Sequence, residues 1–229
     1  MESLMSFLTG PGLIISLAVF FIGLAVRLVL YFMGLDWRLD RVAYKPHMSE
    51  GMRGGLYSAY KWLVPFGTFG WRAQPFFTIC FFLLHLGAVL VPLFLTAHNE
   101  ILRMRFGFGL PSLPQGVTDV LTVATIIGLF FIILRRIALT EVRIITTAYD
   151  YFIIALVAVP FVSGFIARVS SAGSDGWLLV HIISGELMLV LAPFTKLSHI
   201  VLYFASRWQL GADYSIKRGG HRRGPCFPW

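Results

Sequence analysis

The sequence predicts an all-α polytopic membrane protein, a bundle of five transmembrane helices with its N-terminus outside and its C-terminus in the cytoplasm. Hydrophobic residues make up 57% of the 229 and charged residues only 13%, whereas a soluble domain carries about 25% charged residues. Five mostly apolar stretches of about twenty or more residues follow one another, and each is long enough to cross the hydrocarbon layer as a helix. Lipid requires internally paired backbone groups, and the alternating segments of a β-barrel are absent from the sequence.

We expect one membrane domain over 1–229, because no polar segment is long enough to bury a second core. The predicted elements are spans at about 11–35, 74–98, 117–137, 148–168 and 177–206, a cytoplasmic surface segment at 36–73 and a basic cytoplasmic tail at 207–229. Within the surface segment, the glycines of 51–55 are predicted to separate one amphipathic piece from another at 56–64. The first ten residues carry no Lys or Arg, so we expect the first span to be retained rather than cleaved as a signal peptide.

The orientation follows from the distribution of positive charge, because short cytoplasmic loops are enriched in Lys and Arg. Fourteen of these residues lie in the segment after the first span, the loop after the third and the tail, whereas three lie in the two opposite loops. This asymmetry also accounts for the net charge of +8 without a nucleic-acid partner. The only cysteines, Cys80 and Cys226, are too few for a disulfide framework or an iron-sulfur site, so any such cofactor belongs to a partner.

Four of the six histidines, His85, His98, His181 and His199, fall in the second and fifth predicted spans. Histidine is costly in lipid and usually has a function there. Because these two spans run antiparallel, His85 shares a level with His199 (the inner pair) and His98 with His181 (the outer pair). Two facing pairs, one near each membrane surface, are what two stacked bis-histidine haems require, with each imidazole supplying one axial nitrogen.

On an ideal helix, the spacing places His181 and His199 as ligands of two stacked haems better than it places His85 and His98. The first two are 18 residues apart, which places them on one face about 27 Å apart along the axis. The other two are 13 residues apart, about 20 Å along the axis but offset by about 140°. Pro92 lies between them, and a kink there would change the register.

The runs His181–Glu186 and Pro193–His199 resemble the last span of the nitrate reductase gamma subunit family of dihaem cytochromes b. The segments Leu134–Arg136, Tyr149–Tyr151 and Ser163–Phe165 are similar to its third and fourth spans. The resemblance covers about 75–207 and looks closest to the short cytochrome b subunits of sulfate-reducer transmembrane redox complexes, of the high-molecular-weight cytochrome c complex type. It implies two haem b groups, a cytoplasmic iron-sulfur subunit and a place in the inner membrane of a bacterium. It also implies electron exchange with the menaquinone pool or with periplasmic multihaem cytochromes c, and the presence of further membrane subunits.

Four other charged residues are candidates for roles around these haems. Arg27, Lys196 and Arg168 are candidate partners of haem propionates, although the first two are equally able to snorkel to the membrane surface. Glu186 follows His181 by one to two turns, deep in the bundle. It is a candidate proton relay for a quinone, or a carboxyl bonded to a backbone carbonyl or to Ser184.

These observations together favour an electron-transfer subunit of a quinone-linked oxidoreductase complex. Two alternatives stay open: a haem-containing wire without a quinone site, and a haem-free membrane anchor or transporter whose histidines carry protons. Transporters usually show inverted repeats or broken helices, and the sequence predicts neither. A quinone-binding assay distinguishes the quinone-linked subunit from the haem-containing wire, and a measurement of haem content distinguishes both from the haem-free protein.

Overall fold

The structure is a computed structural model that describes residues 2–35, 47–170 and 173–217, and the regular secondary structure in these ranges is entirely helical. In chain order the helices are α1 (Glu2–Met33), α2 (Met48–Leu63), α3 (Phe69–Ala73), α4 (Pro75–Phe94), α5 (Thr96–Phe106), α6 (Gln115–Ala138), α7 (Thr140–Arg143), α8 (Ala148–Val169), α9 (Ser174–Leu191) and α10 (His199–Lys217). A π-helical turn at Leu8–Gly12 interrupts α1, and two 3-10 turns, Ala192–Phe194 and Lys196–Ser198, separate α9 from α10.

Five of these helices are long and apolar enough to cross a membrane, which confirms the predicted number of spans. They are α1, α4, α6, α8 and α9 extended to Phe194. Large apolar side chains such as Phe21, Ile22 and Val120 are 64–68% exposed on them, as expected of groups that face lipid rather than a protein core. The chain is therefore a multi-pass membrane protein, and the orientation of its termini stays a prediction.

The second and fifth spans differ from the continuous helices that the sequence predicts. The second ends at Phe94 instead of 98, since Leu95 is extended and a separate helix, α5, begins at Thr96. The fifth does not run unbroken to 206, because Pro193 lacks a backbone N–H and the Thr195 side chain caps the next turn by accepting from the Leu197 N–H. The expectation that His181 and His199 share one face of one straight helix therefore does not apply.

The surface segment predicted for 36–73 is described from residue 47, and it contains α2 and α3. The predicted break at the glycines of 51–55 is wrong, because these glycines lie inside α2. Residues 36–46 and the last part of the predicted tail, 218–229, lie outside the described residues.

The chain divides into two compact units, Met1–Phe20 with Ile79–Ala192 and Phe21–Thr78 with Pro193–Trp229. In the first unit, Leu84, Leu129 and Ile154 from α4, α6 and α8 form the apolar core. Small residues bring α4 and α6 together: a Cβ on Gly87 would overlap Thr125 Oγ1, and one on Gly128 would lie 2.9 Å from the Cβ of Leu84. Such contacts between small residues are typical of helix packing in membranes.

In the second unit, α2 packs against α10 through glycines. A Cβ on Gly54 would overlap the carbonyl oxygen of Gly211, and one on Gly55 would overlap the ring of Trp208. The glycines that resemble a helix break in the sequence are therefore the contact surface of α2. The Arg207 guanidinium of α10 lies 4.3 Å from the ring centroid of Trp62 at the other end of this interface, within the range of a cation–π contact.

Candidate functional site

The structure brings His98 of α5 and His181 of α9 together in the first unit. Their ring centroids are 5.9 Å apart, and their planes are inclined by only 7°. These residues are the predicted outer pair. The Nδ1 atom of each ring is bonded to a backbone carbonyl outside its own helical turn. Two local features of the fold make these hydrogen bonds possible.

The first feature is the break between α4 and α5, which turns His98 back towards the end of α4. His98 Nδ1 lies 3.0 Å from the carbonyl oxygen of Pro92. The last four carbonyls of a helix have no partner within the helix, and here they are all bonded. The carbonyls of residues 91, 92, 93 and 94 accept from the Leu95 N–H, the His98 ring, the Asn99 side chain and the Leu113 N–H, respectively.

Asn99 is the residue that holds this break in place. Its side chain is fully buried. Nδ2 donates to the carbonyl of Leu93 at 3.2 Å and lies 3.4 Å from Ser112 Oγ, while Oδ1 accepts from the Leu110 N–H at 3.0 Å. One amide thus joins the end of α4, the start of α5 and the loop after α5, and fixes the position of the neighbouring His98.

The second feature is the contact between α8 and α9, which holds His181. Its Nδ1 lies 2.8 Å from the carbonyl oxygen of Pro160, 21 residues away on α8. Gly164, one turn further along α8, allows this approach, because a Cβ there would lie only 2.6 Å from His181 Nδ1. The ring of His181 therefore occupies the space that any other residue at 164 would fill.

The Nδ1 atoms of the inner histidines are bonded to local carbonyls. His85 Nδ1 lies 2.7 Å from the carbonyl oxygen of Phe81, and His199 Nδ1 lies 2.8 Å from that of Lys196. His85 belongs to the first unit and His199 to the second. Their pairing across α4 and α10 therefore stays a prediction.

All four rings share one hydrogen-bonding pattern. A carbonyl oxygen only accepts hydrogen bonds, so Nδ1 is the donor in each ring, and in a neutral imidazole of this tautomer Nε2 has the lone pair that binds a metal. Metal-binding histidines usually donate their second ring N–H in this way. For His98, which lies outside the spanning helices, burial lowers the pKa, with the bond to Pro92 raising it and His181 lowering it. The lowered pKa favours the neutral form of His98.

The separation of the outer pair can be compared with that of two imidazoles bound to one metal ion. Two metal–nitrogen bonds of about 2 Å each, and about 1 Å from each bonding nitrogen to its ring centre, place two opposed imidazoles about 6 Å apart. The observed 5.9 Å matches this separation. Among the described residues, no group of three or more His, Cys, Asp or Glu side chains is placed to hold a metal ion.

Glu186 lies on α9 in the first unit, facing the π-helical turn of α1. A Cβ on Gly12 would lie 3.1 Å from Glu186 Oε2, so the carboxyl group fits against bare backbone. Its Oε1 is buried and has no hydrogen-bond partner among the described residues. The Ser184 hydroxyl donates to the carbonyl of His181, so its hydrogen is not available to the Glu186 carboxyl group.

The candidate propionate partners lie on exposed positions. Arg27 is on α1 and Lys196 is in the turn before His199, both in the second unit. Arg168 at the end of α8 is 3.7 Å from Asp119 Oδ2 of α6. It therefore has a carboxylate neighbour within the chain, which competes with a propionate for its charge.

Sequence reasoning missed Asn99 and Gly164, which hold the outer pair. The only sequence signal for Asn99 was its position directly after His98, a candidate ligand at the end of the predicted second span. Gly164 was noted only for its resemblance to a family segment. Its role depends on the register between α8 and α9, which spacing along one helix does not show.

No family model matches the chain. Over 224 residues it is 67% identical to a protein of Nitratidesulfovibrio vulgaris strain Hildenborough, described simply as "Protein", and the match covers 98% of this chain and 99% of that one. The chain belongs to the family of this protein. The relative's description states no activity.

Proposed function

We propose that this protein is a dihaem b-type cytochrome subunit of a respiratory membrane complex in the cytoplasmic membrane of a bacterium. The observation that carries the proposal is the outer pair, with its 5.9 Å separation, nearly parallel rings and Nδ1 atoms bonded to carbonyls. The resemblance of about 75–207 to dihaem cytochromes b supports it. His98 with His181 would hold one haem, and His85 with His199 the other.

Haem with both axial positions filled by imidazole supplies one-electron transfer and leaves no open iron position for a substrate. The role of this chain is then to hold two such groups at different depths in the membrane. The four backbone carbonyls fix the ring tautomers, and the apolar spans exclude water. Arg27, Lys196 and Arg168 are the cations available for propionates, which would otherwise be costly near lipid.

The proposed partners follow from the charge distribution and the resemblance. The side rich in Lys and Arg is the cytoplasmic one and would receive an iron-sulfur subunit. The opposite side would exchange electrons with menaquinone or with periplasmic multihaem cytochromes c. A reporter fused to the C-terminus tests the orientation: a cytoplasmic reporter is expected to be active and a periplasmic one inactive, and the reverse result contradicts it.

Glu186 supports a quinone-linked role. Oxidation of a quinol releases two protons with two electrons, and a buried carboxylate oxygen without a partner is suited to accept one of these protons. We expect a quinol-analogue inhibitor to bind the purified protein and Glu186→Gln to weaken that binding by about ten-fold, one hydrogen bond to a charged group. Absence of inhibitor binding to the wild type leaves a haem wire without a quinone site.

The primary test is the haem content of the purified protein. A pyridine haemochrome assay with redox-titrated spectra is expected to give two b haems per chain. His181→Ala and His98→Ala should lose the same haem, while His85→Ala and His199→Ala should lose the other. A folded wild-type protein without haem would overturn the proposal and favour a haem-free membrane anchor.

A further inference from the structure

We propose that Gly164 is a positioning residue that sets the plane of the His181 imidazole parallel to that of His98. The inference rests on the proposed function, because the orientation of the ring has a consequence only when its Nε2 binds iron. It concerns the backbone around the outer pair rather than the pair itself.

The geometry at Gly164 determines where the His181 ring can lie. A Cβ at this position would be 2.6 Å from Nδ1 and 2.9 Å from Cε1 of the ring, both shorter than any ordinary contact. The acceptor, the carbonyl of Pro160, lies one turn earlier on the same helix. The ring must therefore pass over the bare backbone of Gly164 to reach this carbonyl, and only glycine permits that path.

The partner ring is oriented independently. His98 donates to the carbonyl of Pro92 on α4, whereas His181 donates to α8, so each plane is fixed by a different helix. The 7° between the planes therefore results from the fold and not from contact between the rings. In a bis-imidazole haem the relative orientation of the planes sets the splitting of the iron d orbitals, so the hydrogen-bond partners of the ligands control its electronic state.

Two expectations follow for the wild-type protein and for Gly164→Ala. The parallel planes predict a rhombic low-spin EPR signal for the outer haem. In Gly164→Ala the methyl group displaces the ring from Pro160, so the largest g value of the outer haem should increase and its affinity should fall by about ten-fold or more, as for other lost second-shell bonds. The inner haem should keep its spectrum, which also shows that the variant is folded.

Gly176→Ala is the matched control. Gly176 lies on the same helix as His181, and a Cβ there would meet no described atom within 4 Å. This variant should retain both haems with wild-type spectra. If Gly164→Ala also retains both haems with a wild-type outer signal, the inference is wrong while the proposed function stands. A wild-type protein without haem overturns both.

A second variant tests the hydrogen bond without adding a side chain at 164. In His181→Gly, free imidazole can occupy the position of the ring and donate to Pro160, whereas 1-methylimidazole has no N–H to donate. We expect imidazole to restore the rhombic outer signal and 1-methylimidazole to bind at least about ten-fold more weakly or with a shifted signal. Equal affinity and equal spectra for the two ligands would contradict the role of the Pro160 carbonyl.

Discussion

The outer and inner histidines differ in how their rings are held. The Nδ1 atoms of His85 and His199 are bonded to carbonyls four and three residues earlier, in their own turns. His98 bonds a carbonyl six residues back across a helix break, and His181 bonds one 21 residues away on another helix. The Nδ1 bonds of the inner rings thus form within a single turn, whereas those of the outer rings depend on tertiary structure.

Because of this difference, we expect the outer and inner histidine pairs to respond differently to changes in helix packing. A bond within one helical turn survives small shifts between helices, because both of its atoms move together. A bond between segments is lost when either segment moves by about 1 Å. Substitutions around the outer pair should therefore affect one haem selectively, and substitutions near the inner histidines should lower stability without changing ligand orientation.

The largest effect is expected from Asn99→Ala. The substitution leaves the carbonyl of Leu93 and the N–H of Leu110 without their side-chain partner, at a cost of about 1–3 kcal/mol for each group. Because the α4–α5 break then loses its support, we expect loss of the outer haem and retention of the inner one. Haem content and thermal unfolding in detergent measure the two effects.

Glu100→Ala is the control for Asn99→Ala. Glu100 is the next residue on α5, and its contact with Arg103 is a half-exposed ion pair, which contributes at most about 1 kcal/mol. It should retain both haems. Loss of both haems in Asn99→Ala, or of neither, would remove the distinction between the two sites.

A smaller effect on stability is expected from Gly87→Ala, two residues after His85. The new methyl group would overlap Thr125 Oγ1 on α6, and relieving such an overlap costs about 1–3 kcal/mol. The bond from His85 to Phe81 lies within α4 and moves with it. We therefore expect a lower unfolding temperature but a wild-type inner-haem spectrum.

Gly116→Ala on α6 is the control for Gly87→Ala, since a Cβ there would meet no described atom within 4 Å. Its unfolding temperature should match or slightly exceed that of the wild type. A changed inner-haem spectrum in Gly87→Ala at full haem content would show that the orientation of the inner ligand also depends on tertiary packing. That result would contradict the proposed difference between the inner and outer histidines.

The same difference explains how much the sequence could predict. Hydrophobic length found all five spans, because each helix satisfies its own backbone and needs no partner to be recognised. It located the third and fourth within two residues, whereas the first begins at Glu2 instead of 11 and the fifth ends at Phe194 instead of 206. The break at Leu95 was not predicted, since Pro92 indicated only a kink and the capping groups come from Asn99 and Leu113. The glycines of α2 were mistaken for a break, because a glycine that packs against another helix and one that ends a helix have the same local sequence.

For the site, the four histidines follow from residue type and spacing, but the orientation of the outer rings does not. His181 and Pro160 are on different helices, and their contact depends on the rotation of α8 about its axis. Neither periodicity nor spacing specifies that rotation. Glu186 is a similar case: its Oε1 has no hydrogen-bond partner among the residues that the structure describes. Its position against Gly12 depends on where the π-helical turn lies, which the sequence does not specify.

The smallest effect is expected from Arg168→Gln, which tests whether this residue acts on the outer haem at all. Arg168 and Asp119 are 3.7 Å apart and their side chains are 53% and 35% exposed, respectively, so the pair contributes less than about 1 kcal/mol to stability. If Asp119 is the sole partner of Arg168, Arg168→Gln and Asp119→Asn should leave the outer-haem potential unchanged. If Arg168 pairs with a propionate, Arg168→Gln alone should lower that potential, because removal of a positive charge favours the oxidised, more positive iron. Redox titration of the two variants side by side decides between these roles, because only the pairing with a propionate predicts a lower potential for Arg168→Gln.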